Sequence, residues 1–266
     1  MFLARLLVLF SLVCISCAHS SFEQKQLKHA LDFATSNRLE LEILLQHYTY
    51  DSLKLEAAKF LIRNMPHCYS YQQGGEMDSV KRVRTYYSPF GQIDQTYARR
   101  WGHYTYRNLL KIYDAHIITA EYLIDNIDRA FDNWQKRPWN RSLSFEDFCE
   151  YLLPYRIGDE PLEEWRELYE KKYGYLLDSI YKGGDVVEAA NLVSRHLQEP
   201  VFIYCEDFEL PHIGPRYLFS HRYGSCVDAA DIVTYAFRAV GIPCMEDTDA
   251  RGGHVWNVVR DTTGRD

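Results

Sequence analysis

The sequence predicts an α+β fold, a long helical region followed by a smaller unit in which one helix leads into strands. Two observations carry this expectation. Apolar residues recur at spacings of three and four over much of residues 18–200, whereas residues 201–266 hold short β-type runs around a single capped helix. The composition of the 266-residue chain is that of a globular protein, 47% hydrophobic and 25% charged. Its 14 Gly and 9 Pro form no tract or repeat, which excludes collagenous, mucin-like and wholly disordered chains. The formal charge is -7 and the basic residues are scattered, so nucleic acid is not an expected partner.

Met1 to Cys17 (MFLARLLVLFSLVCISC) sets one Arg before an apolar run from Leu6 to Ile15 and reads as an export signal outside the fold. The run is about half the ~20 residues a membrane-spanning helix needs, and no other stretch approaches that length. Its ending, Cys14-Ile15-Ser16-Cys17, resembles a bacterial lipobox, with Cys14 standing where Leu is usual. That resemblance implies a lipid anchor at Cys17 and a place in the cell envelope, at the outer membrane or in the periplasm; plain secretion is the alternative. The polar stretch His19 to Gln26 suits a short tether.

Export to an oxidising compartment permits disulfides. The mature chain carries Cys68, Cys149, Cys205, Cys226 and Cys244, an odd number, so one thiol stays free unless it pairs with another molecule. With Cys226 set aside, the other four allow three pairings or none. No C-x-x-C pair and no histidine pair at helical spacing is present in the mature chain, so a zinc site is not expected, and the cysteine-enzyme reading developed below implies no metal and no organic cofactor.

Along the helical region, Leu27, Ala30, Leu31 and Ala34, then Leu41, Leu44 and Leu45, then Leu53, Ala57, Phe60 and Leu61 mark three amphipathic helices, the last stopped at Met65-Pro66. A second helical block is expected from Ile93 to about Trp134, with Tyr106, Leu109, Leu110, Tyr113, Ile117 and Ala120 as its stripe and Pro138 as its stop. A further helix is expected from Pro161 through Leu162, Trp165, Leu168 and Tyr169 to Gly174, and another from Asp185 to Leu197, closed by Pro200. Nothing in the first 200 residues reads as a sheet. The 21 Tyr invite a carbohydrate-binding reading, but Tyr106, Tyr113 and Tyr169 fall on helix stripes, where half-buried tyrosines are ordinary. The block Phe145 to Trp165 is dense in aromatic and charged residues and either lines a cleft or joins two helical layers.

The chemistry-bearing residues follow Pro200. After the β-type run Val201 to Tyr204 comes Tyr223-Gly224-Ser225-Cys226-Val227-Asp228, where Ser225 is a good N-cap. The helix so opened is expected to bury Val227, Ala230, Val233, Tyr235, Ala236, Phe237 and Val240 and ends at Gly241 with Pro243 beyond. Cys226 therefore lies in a first helical turn, where free N–H groups and the helix dipole favour a thiolate and are placed to stabilise an oxyanion. Gly252-Gly253-His254-Val255-Trp256-Asn257 reads as a strand entered through a glycine turn, with His254 at its start, placed to serve as the base of a Cys-His dyad. Taken singly, a cysteine on a helix is an ordinary small core residue and a histidine at a strand start an ordinary surface residue.

The string Y-G-S-C-V-D-A-A, then Phe237-Arg238-Ala239-Val240-Gly241-Ile242-Pro243, then Gly253-His254-Val255-Trp256-Asn257 resembles the transglutaminase-like family of papain-type cysteine enzymes. The resemblance covers residues 201–266, and LPYRIGDEPLEEW upstream looks like the helical region that precedes this core in exported lipoproteins of the Bacteroides type. It implies Cys226 as nucleophile and His254 as base. The acid that orients the imidazole is Asp261 or a residue beyond 266, because family members usually carry an Asp on the following strand, while Asp261-Thr262-Thr263-Gly264 reads as a turn. Only two strands are visible, Ile242 to Glu246 and His254 to Arg260, so the core is expected to be incomplete and the chain a fragment of a longer product. Asp228 is read as holding the helix start, His221 as a surface loop residue, and Asn257, by strand alternation, as facing away from His254.

The expected function is an exported cysteine-dependent enzyme acting on a peptide or protein amide through a Cys226 thioester, with hydrolysis preferred to crosslinking by analogy with the family. The rival from another class is a surface lipoprotein that keeps the fold without turnover and binds a peptide or glycan. A third reading pairs Cys226 with Cys244 or Cys205 in a disulfide.

Overall fold

A computed structural model describes residues 21–75, 77–79, 81–82, 109–199, 202–204, 211–251 and 253–265. The export signal with Cys17, the stretch from Ile93 through Tyr106, Pro200, Val201, Cys205 and Gly252 lie outside the described residues. The architecture is α+β, mostly helical with three two-stranded sheets among the described residues.

The front holds α1 (21–33), α2 (Arg38–His47) and α3 (Ser52–Asn64), where the apolar spacing places them. Asp51 caps α3, accepting from Lys54 N at 3.1 Å, and α3 gives way at Met65-Pro66 to a tight turn. The helix expected through Tyr113 is not formed there. Lys111–Tyr113 is a strand, β2, paired antiparallel with β1 (Tyr69–Tyr71), so the front does contain a small sheet. Tyr113 is half-buried in this strand. The strand wins because it sets the Tyr113 ring edge-on to Phe33 of α1 and close to Tyr69, 5.3 and 5.9 Å between centroids. Helix resumes at α4 (Ala120–Lys136), opened by Thr119, whose hydroxyl accepts from Tyr122 N.

After α5 (Phe145–Tyr151), the segment from Pro161 to Trp165 forms no helix, and α6 runs Arg166–Tyr175. Docking holds it open. The Glu163 carboxylate accepts from Arg216 N at 3.0 Å, and the Trp165 indole donates to Tyr155 O at 2.9 Å. α7 (Val186–Leu197) starts at Asp185, whose side chain accepts from Val187 N and Glu188 N. β3 (Ile203–Tyr204) pairs parallel with β4 (Tyr223–Gly224), on either side of the short α8 (Pro215–Ser220). α9 (Cys226–Val240) is followed by the antiparallel hairpin of β5 (Cys244–Thr248) and β6 (Val255–Val259).

Two apolar cores result among the described residues. One lies among α1 to α5; the other joins Trp139, α6 and α7 to α9, Ile242 and Cys244, so helices from before Pro200 pack directly on those after it. Tyr169 is fully buried there, its hydroxyl donating to Pro215 O at 2.9 Å, an ordinary core tyrosine. The segment 152–160 is the joint between the cores. Its carbonyls are capped by two buried guanidinium groups: Arg166 donates to Leu152 O, Leu153 O and Pro154 O, and Arg238 to Arg156 O. Arg156 in turn grips both oxygens of the buried Asp114, at 2.6 and 2.5 Å.

The C-terminus of α9 is met by the front. Asn133 donates to Ala239 O, Arg137 to Val240 O, and both Trp139 and Asn140 to Gly241 O, at 2.7–3.1 Å. These side chains satisfy the carbonyls a helix end leaves open. Gly241 itself is left-handed (φ 83°), and a Cβ there would lie 2.8 Å from Asn133 O. No helix of the described residues is long and apolar enough to cross a membrane.

Candidate functional site

Cys226 is the first residue of α9 and half-buried. The turn beneath it is closed by Asp228, whose Oδ2 accepts from Ser225 N at 2.8 Å and from Ser225 Oγ at 3.1 Å. Asp228 thus holds the helix start, the role its position implies. The four described cysteines, Cys68, Cys149, Cys226 and Cys244, are free thiols, so Cys226 and Cys244 are not bridged. Burial pushes the other three thiols up, Cys68 to about 11 and Cys149 and Cys244 to about 12. At neutral pH they are poor nucleophiles.

His254 lies just ahead of β6 and is exposed, its ring tilted against Trp256 at 6.1 Å. Its carbonyl closes the hairpin, accepting from Asp249 N and Thr248 Oγ1. Among the described residues no hydrogen bond joins the His254 imidazole to Cys226. Asn257 points to the other side: its Nδ2 donates to Ala230 O and Thr234 Oγ1 of α9, so the Asn257 face of β6 is the one laid on the helix. The Asp261 carboxylate accepts from Thr263 N, Thr263 Oγ1 and Arg265 N, each at 2.8 Å, and those bonds hold it below the usual carboxylate range. It is a turn-forming side chain. His221 stacks on Tyr217 at 4.4 Å, with Nδ1 at 3.1 Å from Tyr217 O.

One cluster has no counterpart in the sequence reading. His212, ahead of α8, places Nδ1 at 2.9 and 3.0 Å from the two oxygens of Asp231, a fully buried residue on α9. Glu246 of β5 completes the group, its Oε1 accepting from Thr234 Oγ1 at 3.1 Å. Burial and then the charge of Asp231 push Glu246 up to about 9. Burial opposes a proton on His212, but the charge and hydrogen bond of Asp231 outweigh it and raise the imidazole to about 10. The His212 ring lies over Gly158, in the space a Cβ would fill, and the Asp159 carboxylate accepts from His212 N at 2.9 Å. Its outer edge borders a cleft of about 440 Å³ that also meets Cys68, Tyr69 and Arg156. The three residues come from three separate elements, so no spacing in the sequence signals them.

No family model matches this chain, and neither does any curated protein or solved structure.

Proposed function

We propose that the chain is an exported, transglutaminase-like cysteine enzyme that cleaves amide or peptide bonds through a thioester on Cys226. The observation that carries this reading is the place of Cys226, a half-buried free thiol at the first position of a capped helix. In this scheme the Cys226 sulfur attacks the acyl carbon, and N–H groups of the first turn stabilise the oxyanion. His254 takes the thiol proton and returns it to the departing amine as the C–N bond breaks. Water then cleaves the C–S bond, releasing the acid and restoring the thiol. The scheme requires the His254 ring to leave Trp256 and turn toward α9. The leader supports delivery to the cell envelope, with a lipid anchor at Cys17.

The second reading, a binding lipoprotein without turnover, is favoured by the present contact of His254 with Trp256. One experiment separates the two: iodoacetamide alkylation of Cys226 followed against pH by peptide mass spectrometry, in the full chain and in His254→Ala. The enzyme reading expects alkylation at pH 7 at least tenfold faster in the wild type than in the variant. Equal rates in both would remove the dyad and leave the binding protein.

A further inference from the structure

We propose that His212, Asp231 and Glu246 form a binding site for one divalent transition-metal ion, with Zn²⁺ the best-matched probe. The proposal is independent of the thiol chemistry. Each residue offers one ligand atom, and these atoms lie within 4.8 Å of one another. Asp231 turns both carboxylate oxygens toward the same imidazole nitrogen.

The donor set is chemically specific. An imidazole with two carboxylates matches the nitrogen and oxygen ligands of Zn²⁺, whereas Mg²⁺ and Ca²⁺ prefer oxygen alone. With metal–ligand bonds of ~2.0–2.2 Å, tetrahedral neighbours sit roughly 3.3–3.6 Å apart. The His212–Asp231 pair at 2.9 Å needs to open by only a few tenths of an ångström. Binding the ion displaces any protons from the imidazole and the two carboxylates, and the ligand set then carries two negative charges, which one divalent ion cancels inside a site whose central carboxylate is fully buried.

The surroundings are arranged as those of a ligand set are. Metal-bound carboxylates and imidazoles are oriented by outer hydrogen bonds. Here Thr234 fixes Glu246 and is itself held by Asn257 at 2.9 Å, while Asp159 anchors the His212 backbone. Gly158 leaves the imidazole its seat. The ligands come from the loop before α8, from α9 and from β5, so a bound ion ties the helix bearing Cys226 to both the hairpin and the preceding loop.

The test uses the full chain, stripped with dipicolinate and titrated with Zn²⁺ by calorimetry, beside Glu246→Gln and His212→Gln. The expected result is one ion per chain and at least tenfold weaker binding in each variant. At a hundred times Kd, the wild-type melting temperature should rise by roughly 5 °C or more. X-ray absorption of the wild-type complex decides the matter even if a variant fails to fold. Nitrogen and oxygen ligands with the outer scattering of one imidazole support the site. A sulfur ligand, no stoichiometric uptake, or undiminished binding in both folded variants overturns it.

Discussion

Replacing Gly158 by alanine tests whether the His212 ring is held as tightly as the structure has it. The added Cβ would lie 2.8 Å from Cε1 of His212 and nearer still to Nε2 and Cδ2. Two responses are open. If the ring stays, the overpacking costs about 1–3 kcal/mol. If it swings into the neighbouring cleft, it gives up a hydrogen bond to the buried Asp231 carboxylate, a loss of about 1.5–3 kcal/mol for a bond to a charged group. The protein takes the cheaper route, so the expected loss is about 2 kcal/mol, or a fall of roughly 4–8 °C in melting temperature for a chain of this size. Urea unfolding followed by tryptophan fluorescence at pH 7 measures it. Gly184→Ala is the control, because a Cβ there meets no heavy atom within 4 Å, and it should stay within about 0.5 kcal/mol of wild type. In a His212→Ala background, Gly158→Ala should become nearly neutral. A Gly158→Ala loss below about 0.5 kcal/mol, or an equal loss with and without His212, would refute the account of the ring's seat.

In the chain stripped of divalent ions, the same cluster makes stability depend on pH. Glu246, near 9 in the folded state against an ordinary 4.5, holds a proton that the unfolded chain releases, and His212, near 10 against 6.5, does the same. Their contributions are present in acid and decline as pH climbs, Glu246's across 4.5 to 9 and His212's across 6.5 to 10. The urea midpoint should fall from pH 5 to pH 9 and fall less in Glu246→Gln; a midpoint that rises over this range would sink the assignment. Asp114→Ala strands the Arg156 guanidinium, whose side chain is 7% exposed, and should cost about 3 kcal/mol, the lower end for a broken buried pair because Glu160 remains 3.6 Å away. Asp114→Asn, which still accepts from the Tyr155 hydroxyl, should cost less in the same urea titration. A loss under about 1 kcal/mol for Asp114→Ala would mean that Glu160 alone satisfies the arginine.

α2, α3, α7 and α9 are legible in the sequence because each carries an apolar stripe, and in α3, α7 and α9 a cap or stop that acts locally marks the ends. Asp51, Asp185 and Ser225 are polar residues at the right offset, and Gly241 is the residue that tolerates a left-handed end. Local pattern misleads where distant partners decide. Tyr113 fits a helix stripe, but Phe33 and Tyr69 recruit it into a strand; Pro161 fits a first helical turn, but its segment is docked on α8 through Arg216 and Glu163 and forms no helix. At the candidate site, Cys226 and its helix cap were legible from a few adjacent residues. The position of His254 was legible, but not the side its ring takes. His212, Asp231 and Glu246 were silent, since a lone histidine in a loop, an aspartate on a helix and a glutamate on a strand carry no shared spacing until the chain folds.

The two ends of α9 are secured on different schedules. Its start is closed by Asp228, three residues away, whereas the carbonyls of Ala239, Val240 and Gly241 wait for Asn133, Arg137, Trp139 and Asn140, more than a hundred residues earlier in the chain. A chain made from its N-terminus produces the receiving side chains long before the carbonyls they serve. The front is therefore a mould whose side chains are made ahead of the casting, although Trp139 is packed only once α9 joins its core. The helix that presents Cys226 can begin to wind on its own but sets in register only against that mould, so damage at Arg137 or Trp139 would first show as a thiol presented at the wrong place.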